Sequence, residues 1–380
     1  MPVLGRTMRR LVVKVGTSTL TDDSGRLDPA RLADVARGAR ALAAAAGSPG
    51  RPAELVLVSS GAGAAGRERL GLRLPLTLPE KQAAAAVGQA RLMLDWAAAW
   101  EPTPVAQLLL SAYDVRTRRR YVNAKNALEA TLALGAVPIV NENDSVATSE
   151  LKVGDNDTLS AWVAYLVDAD LLVILTDVDG LYEADPRKVP GARRLRVVAD
   201  LASVAPLAGG AGTDRGTGGM STKLQAARIA ADAGIETVVL GGGGAGLEAL
   251  ARGEDVGTRF LAGEGVPARK AWILNQPIAG AVLVDAGARD ALLAGRSLLP
   301  RGVVGVRGQF AFGDAVAVEC EGERVAVGLT NYSSADLARI AGRHTREVPA
   351  ILGAHHYDEV VHRDNLVLDR AFASGTIVTP

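Results

Sequence analysis

Two lysines, a glycine-rich loop and several clustered carboxylates are the residues of this chain whose types and spacing suggest chemistry. Lys14 sits near the end of the apolar run RLVVKV (10–15) and precedes Gly16, Thr17 and Ser18. Backbone N–H groups freed by such a turn can cradle phosphate oxygens. A strand-end lysine can equally reach water with its stem packed on apolar surface. GTGGMSTK (216–223) carries similar ingredients. It is not the P-loop pattern, because its lysine comes last and no Gly-Lys pair precedes the hydroxyls. The stretch opens a helix, with Thr217 and Ser221 as candidate caps, and the free N–H groups and positive dipole end suit an anion. Lys223 in the first turn opposes that dipole, so a partner anion is expected beside it. VGDNDTLSA (153–161) places Asp155, Asn156 and Asp157 at a helix start, more acid than one cap needs. In TDVDGLYEADP (176–186), Asp-Gly and Asp-Pro read as turns, which leaves Asp177 at the strand tip as the ligand contact.

Lysines, a glycine-rich loop and carboxylates without histidine fit phosphoryl transfer by positioning and charge neutralisation. The four histidines, His344, His355, His356 and His362, all lie in the last tenth of the chain. Residues 1–260 therefore offer no imidazole base and no Cys/His metal site. An alcohol acceptor usually needs a base to take its proton. A carboxylate acceptor is already ionised at pH 7 and needs none. Acyl-phosphate formation fits, although an Asp base would serve an alcohol.

The elements that must position these groups alternate. Apolar runs at 10–15, 54–61, 104–110, 136–144, 170–177 and 236–242 read as strands. Helical spacing covers 29–46, 79–99, 121–134, 157–169 and 221–234, with Asp28 capping the first of these ahead of Pro29. The pattern predicts an α/β fold with a mainly parallel sheet sandwiched by helices. Ligands of such sheets bind beyond the carboxyl ends of the strands. Polar groups collect at those ends: Lys14 to Thr17, Ser59 to Ala62, Asn141 to Asp144, and Thr176 with Asp177. Near residue 260 the pattern changes. Residues 302–329 read as short strands with glycine turns, a small β-rich barrel pattern.

Lys+Arg and Asp+Glu are 42 each, and hydrophobic residues make up 48%. A neutral chain gives no whole-molecule attraction to nucleic acid or anionic membrane. Cys320 is the single cysteine, so an intramolecular disulfide is excluded. No N-terminal signal-peptide core is expected. Gln89, Arg91 and Asp95 interrupt the apolar stretch 83–100, so no membrane span is expected. The reading is cytoplasmic.

LVVKVGTSTL, SSGAGAAGRERLGL, AAVGQARLM, VNENDSVAT, KVGDNDTLSA, ILTDVDGLYEADPR and GTGGMSTKLQAA together resemble the glutamate 5-kinase family in order and spacing. KAWI, SLLPRGV, RIAG and VVHRDNLVL resemble the PUA domain that many bacterial members carry. The resemblance implies an amino-acid kinase fold over 1–262, a PUA pseudobarrel over 263–368 and a tail over 369–380. It implies ATP, Mg2+ and transfer of the γ-phosphoryl group to the side-chain carboxylate of L-glutamate, the first step of proline biosynthesis. Lys14 and Lys223 would stabilise the moving phosphoryl group, with Asp157 holding both. Ser60, Asp144 and Asn156 would bind glutamate. Asp144 is the counter-charge for the ammonium, and Ser60 and Asn156 are donors to the carboxylates. Lys14, Thr176, Asp177, Thr217, Gly218, Gly219, Met220, Ser221, Thr222 and Lys223 would contact ATP. Feedback inhibition by proline, a dimer or tetramer, and the enzyme that reduces glutamate 5-phosphate as a partner are further implications. SSGAG departs from TSGAI, the form often found there, and VDG also departs from other members; neither touches a carried-over position.

Rivals are kinases of carbamate, aspartate, N-acetylglutamate or a nucleoside monophosphate. An N-acetylated acceptor would not need Asp144, and no arginine for a nucleotide acceptor lies in 136–160. Residues 269–368 hold eleven Lys/Arg and eleven Asp/Glu, a balance that argues against RNA binding driven by phosphate contacts. The pair His355-His356 has no third ligand at metal spacing.

Overall fold

The computed structural model describes residues 4–146, 156–184, 186, 189, 191–208, 219–263, 270, 273–353 and 357–369. The chain divides into two compact units, Met1–Gly265 and Val266–Pro380.

In the first unit, the apolar runs form strands β1 (Arg10–Val15), β2 (Glu54–Ser59), β3 (Val105–Leu110), β4 (Val137–Glu142) and β5 (Leu171–Leu175), followed by the short β6 (Val197–Val198), β7 (Glu236–Leu240) and β8 (Thr258–Phe260). They build one sheet in the order β3-β4-β2-β1-β5-β7-β8-β6. Every pairing is parallel except β7 with β8. β1, β4 and β5 are buried along their whole length, as strands covered on both faces must be. The register sets Val15 opposite both Ser59 and Leu175. The carboxyl ends of β1, β2 and β5 are therefore level, and the polar residues that follow them share one edge.

Side chains alternate across a strand. Leu11, Val13 and Val15 join one core with Leu32, Val35 and Leu42 of the Pro29–Ala46 helix and Leu92 and Trp96 of the Leu78–Trp100 helix. Lys14, of opposite parity, meets Asp157 of the Asn156–Leu166 helix, which Lys223 of the Met220–Asp232 helix also meets. From Asp157 to Leu166 every residue of the Asn156–Leu166 helix is buried, which marks it as a central helix rather than a surface one.

Strand and helix limits follow the sequence reading closely, and Asp28 caps its helix by accepting from the Ala30 N–H at 2.9 Å. Among the helices that the sequence reading did not anticipate are Ala62–Leu70 and Gly243–Ala251. Both are rich in glycine, which reads as punctuation in a sequence. Here glycine serves close packing instead. A Cβ on Gly66 would collide with the Ala84 carbonyl, and one on Gly88 with the Ala62 carbonyl. The Ala62–Leu70 and Leu78–Trp100 helices thus pack backbone to backbone, just beyond Ser60.

The second unit holds a five-stranded sheet, ordered β10-β9-β11-β12-β13. Its strands are β9 (Ile278–Val284), β10 (Val303–Gly308), β11 (Ala315–Cys320), β12 (Glu323–Leu329) and β13 (Leu366–Leu368). Val282, Val316, Val318, Val325, Leu337 and Val360 form its core. The sequence pattern showed β10 to β12; β9 lies between β10 and β11, and β13 adds at the edge beside β12.

Candidate active site

Asp157 is fully buried at the start of its helix, with Lys14 and Lys223 5% and 6% exposed beside it. Lys14 Nζ lies 2.5 Å from Asp157 Oδ1, and Lys223 Nζ donates to Asp157 Oδ2 at 3.1 Å. Thr222 Oγ1 lies 2.8 Å from both Asp157 Oδ2 and the Gly219 carbonyl. One carboxylate therefore bridges two ammonium groups that arrive on different elements. Burial pushes the Asp157 carboxyl up. The charges of Lys14 and Lys223, with hydrogen bonds from Lys14 and Thr222, outweigh that and bring it down to about 2. Asp157 is thus ionised at neutral pH. Among these three side chains the charges sum to one excess positive charge, held in a site of low dielectric. Such an excess attracts an anion. The anion expected beside Lys223 is Asp157 itself, supplied by the fold.

The Met220–Asp232 helix has Gly219 at its N-cap and no side-chain cap. Ser221, expected as a cap, lies inside the first turn. Among the described residues no side chain caps this helix end. Gly219, Met220, Ser221, Thr222 and Lys223 lie at this helix end; Thr217 and Gly218 lie outside the described residues, as does Asp155. At the tip of β5, Thr176 is buried and donates its N–H to the Leu240 carbonyl, while its Oγ1 donates to Asp177 Oδ1 at 3.1 Å. Asp177 is exposed.

A second polar network adjoins the first through the peptide joining Asn156 to Asp157. Asn156 Nδ2 donates to Ser60 Oγ at 2.7 Å and to Asn141 Oδ1 at 2.9 Å. Asn141 Nδ2 donates to Gln89 Oε1 at 2.9 Å, and the Glu142 N–H donates to Asn141 Oδ1 at 2.8 Å. Both amide hydrogens of Asn156 are therefore committed within the protein. Its Oδ1 is buried and has no hydrogen-bond partner among the described residues; the same holds for Gln89 Nε2. This changes the chemistry expected of Asn156. It was read as a donor to substrate carboxylate, and the geometry leaves it only an acceptor. Ser60, accepting from Asn156, keeps its own O–H to donate. Asp144 is half-buried in the turn that follows β4.

Gln89 and Asn141 were not among the candidate site residues. Asn141 had a signal, since it stands at the end of β4 beside other polar groups. Gln89 had little, because one glutamine in an alanine-rich helix looks like an interruption of apolar surface.

The sequence matches the amino acid kinase family over residues 9–241 and the PUA domain over residues 280–352. It is 50% identical over 373 residues to a protein of Thermus thermophilus named glutamate 5-kinase, covering 96% of this chain and 98% of that one. A protein of the same name from Carboxydothermus hydrogenoformans is 47% identical over 371 residues, with 96% and 98% covered. Another from Myxococcus xanthus is 49% identical over 372 residues, with 96% and 97% covered. Identity of this extent along nearly the whole of both chains means that this chain belongs to the glutamate 5-kinases, within the amino acid kinase family.

Proposed function

We infer that this chain transfers the γ-phosphoryl group of ATP to the side-chain carboxylate of L-glutamate, giving L-glutamate 5-phosphate and ADP. The Lys14–Asp157–Lys223 cluster carries this reading. A carboxylate oxygen attacks the γ-phosphorus, the bond from phosphorus to the ADP oxygen breaks, and ADP leaves with the electron pair. No proton has to be removed from the acceptor, which suits a catalytic unit without histidine.

In this reading Lys14 and Lys223 approach the transferring group from two sides, offset repulsion between anionic acceptor and nucleotide, and stabilise the charge spread over the phosphoryl oxygens. Asp157 fixes their positions without touching substrate. The amide N–H groups at the start of the Met220–Asp232 helix, with Thr217 and Gly218 before them, hold ATP phosphates. Thr176 and Asp177 contact the nucleotide from the β5 tip. Ser60, Asp144 and Asn156 hold glutamate, with Asp144 opposite its ammonium. Mg2+ would partly neutralise the phosphates when bound with the nucleotide. Among the described residues no group of three or more His, Cys, Asp or Glu is arranged to hold a metal ion, so no residue here is assigned to it.

The catalytic domain in this reading covers residues 1–262 and the PUA domain 263–368, with a tail from 369. Proline acts as feedback inhibitor, the protein works in the cytoplasm as a dimer or tetramer, and its product passes to the reductase of the pathway. No helix among the described residues is long and apolar enough to cross a membrane. The test is ADP release by purified protein with glutamate, aspartate, N-acetylglutamate and UMP as acceptors. Turnover with glutamate is expected; turnover with UMP alone would overturn the reading.

A further inference from the structure

The amide directions in the second network are not free choices. The Glu142 N–H is a backbone donor, so the atom of Asn141 facing it must be the oxygen. Asn141 Nδ2 is thereby turned to Gln89, which must answer with Oε1. The group of Asn156 that meets Asn141 Oδ1 must be its NH2. That oxygen accepts two hydrogen bonds, its full capacity, and the Asn156 NH2 spends its other hydrogen on Ser60. One backbone N–H thus sets three side-chain amides, and the chain ends in a buried acceptor, Asn156 Oδ1, that has no partner among the described residues. Leaving such an atom unpaired costs its desolvation. A network serving stability alone has no reason to orient that atom so firmly and leave it without a partner among the described residues. A ligand group rich in N–H donors would fill it, and the α-ammonium of an amino acid is such a group.

We propose that Gln89 is a positioning residue for substrate selection. By accepting from Asn141 Nδ2 it holds the amide of Asn141, and through Asn141 that of Asn156, so that Asn156 presents its carbonyl to the substrate ammonium. This deepens the proposed function and rests on glutamate being the substrate. Gln89 itself touches no reacting atom. It lies on the Leu78–Trp100 helix next to Gly88, where the backbone approach to the Ala62–Leu70 helix fixes its place.

The experiment compares L-glutamate with glutarate, the same dicarboxylate without the ammonium. The quantities are KM for glutamate, KM for ATP, and the inhibition constant of glutarate against glutamate. Gln89→Met keeps the length of the side chain and removes the acceptor. It should raise KM for glutamate about tenfold, the value of a hydrogen bond to a charged group. The glutarate constant should stay within about twofold, because no bond to an ammonium is at stake. kcat and KM for ATP should change little. Gln89→Glu keeps an acceptor opposite Asn141 Nδ2 and should retain the preference for glutamate; it carries the test if the methionine variant does not fold. Equal weakening of glutamate and glutarate in Gln89→Met would make Gln89 a packing residue and overturn the proposal. So would an unchanged glutamate preference in a folded Gln89→Met, or a lost preference in Gln89→Glu. A wild-type protein that does not phosphorylate glutamate would instead sink the proposed function, which the same assay reveals before any variant is made.

Discussion

Replacing Asp157 by Asn removes the one carboxylate that holds Lys14 and Lys223, with almost no change in volume. Its effect can be worked from the site. A carboxyl held at about 2 rather than its ordinary 3.8 favours the folded, ionised state by ~2 kcal/mol at neutral pH. Truncating a buried pair typically costs ~3–5 kcal/mol, because the abandoned charges stay buried. The loss at pH 7 should therefore fall between ~2 and ~5 kcal/mol, a large share of a domain's stability. The folded carboxyl is the stronger acid, so the unfolded chain binds more protons between the two values. The Asp157 contribution is complete above the unfolded value and fades as pH falls through the folded one. At pH 3 only about half of it should remain. Calorimetry on wild type and Asp157→Asn at pH 7 and pH 3 measures this, following the transition of the first unit. The gap between the proteins should be several degrees at pH 7 and should narrow at pH 3. ADP release by the folded variant should fall on the order of a hundredfold, since neither lysine keeps its place. An Asn variant as stable as wild type at pH 7, or a gap that does not narrow in acid, would refute the account of Asp157 as a charged bridge.

Lys14→Ala and Lys223→Ala should each lower kcat on the order of a hundredfold or more with a smaller change in KM for glutamate, read by steady-state ADP release. Their double variant should lose less than the product of the two, because both act on one phosphoryl group. A chain ending at residue 262 should still phosphorylate glutamate; a folded but inactive product would show that the second unit completes the site. Proline should raise the apparent KM for glutamate and leave that for ATP nearly unchanged. Asp144→Asn should weaken glutamate and proline together, by about 2–5 kcal/mol if each loses the partner of its cationic nitrogen. Calorimetric proline binding that survives Asp144→Asn unchanged would point to a separate regulatory pocket.

The sequence carried the sheet because its strands are continuous apolar runs, and the sheet carried the site because polar residues gather where those runs stop. Lys14, Asp157 and Lys223 could each be suspected from type and local spacing. Their meeting could not, and only the family resemblance implied it, since it requires a parallel sheet to bring the end of β1 to the starts of two later helices. Lys223 did leave a physical trace, a cation against a helix dipole, and that trace was sound in asking for an anion. It could not say that the anion belongs to the protein.

Asn156 shows a different limit. Its residue type allows both donation and acceptance, and nothing local chooses between them. The choice is made by Glu142, whose backbone N–H turns Asn141, which with Gln89 turns Asn156. A side chain 67 residues away in sequence thus takes part in deciding what Asn156 can offer a ligand. Hydrogen-bond direction is a property of the assembled network, whereas charge is a property of the residue. The charged half of this site was therefore legible from sequence, and the amide half became legible only when its donors and acceptors could be counted.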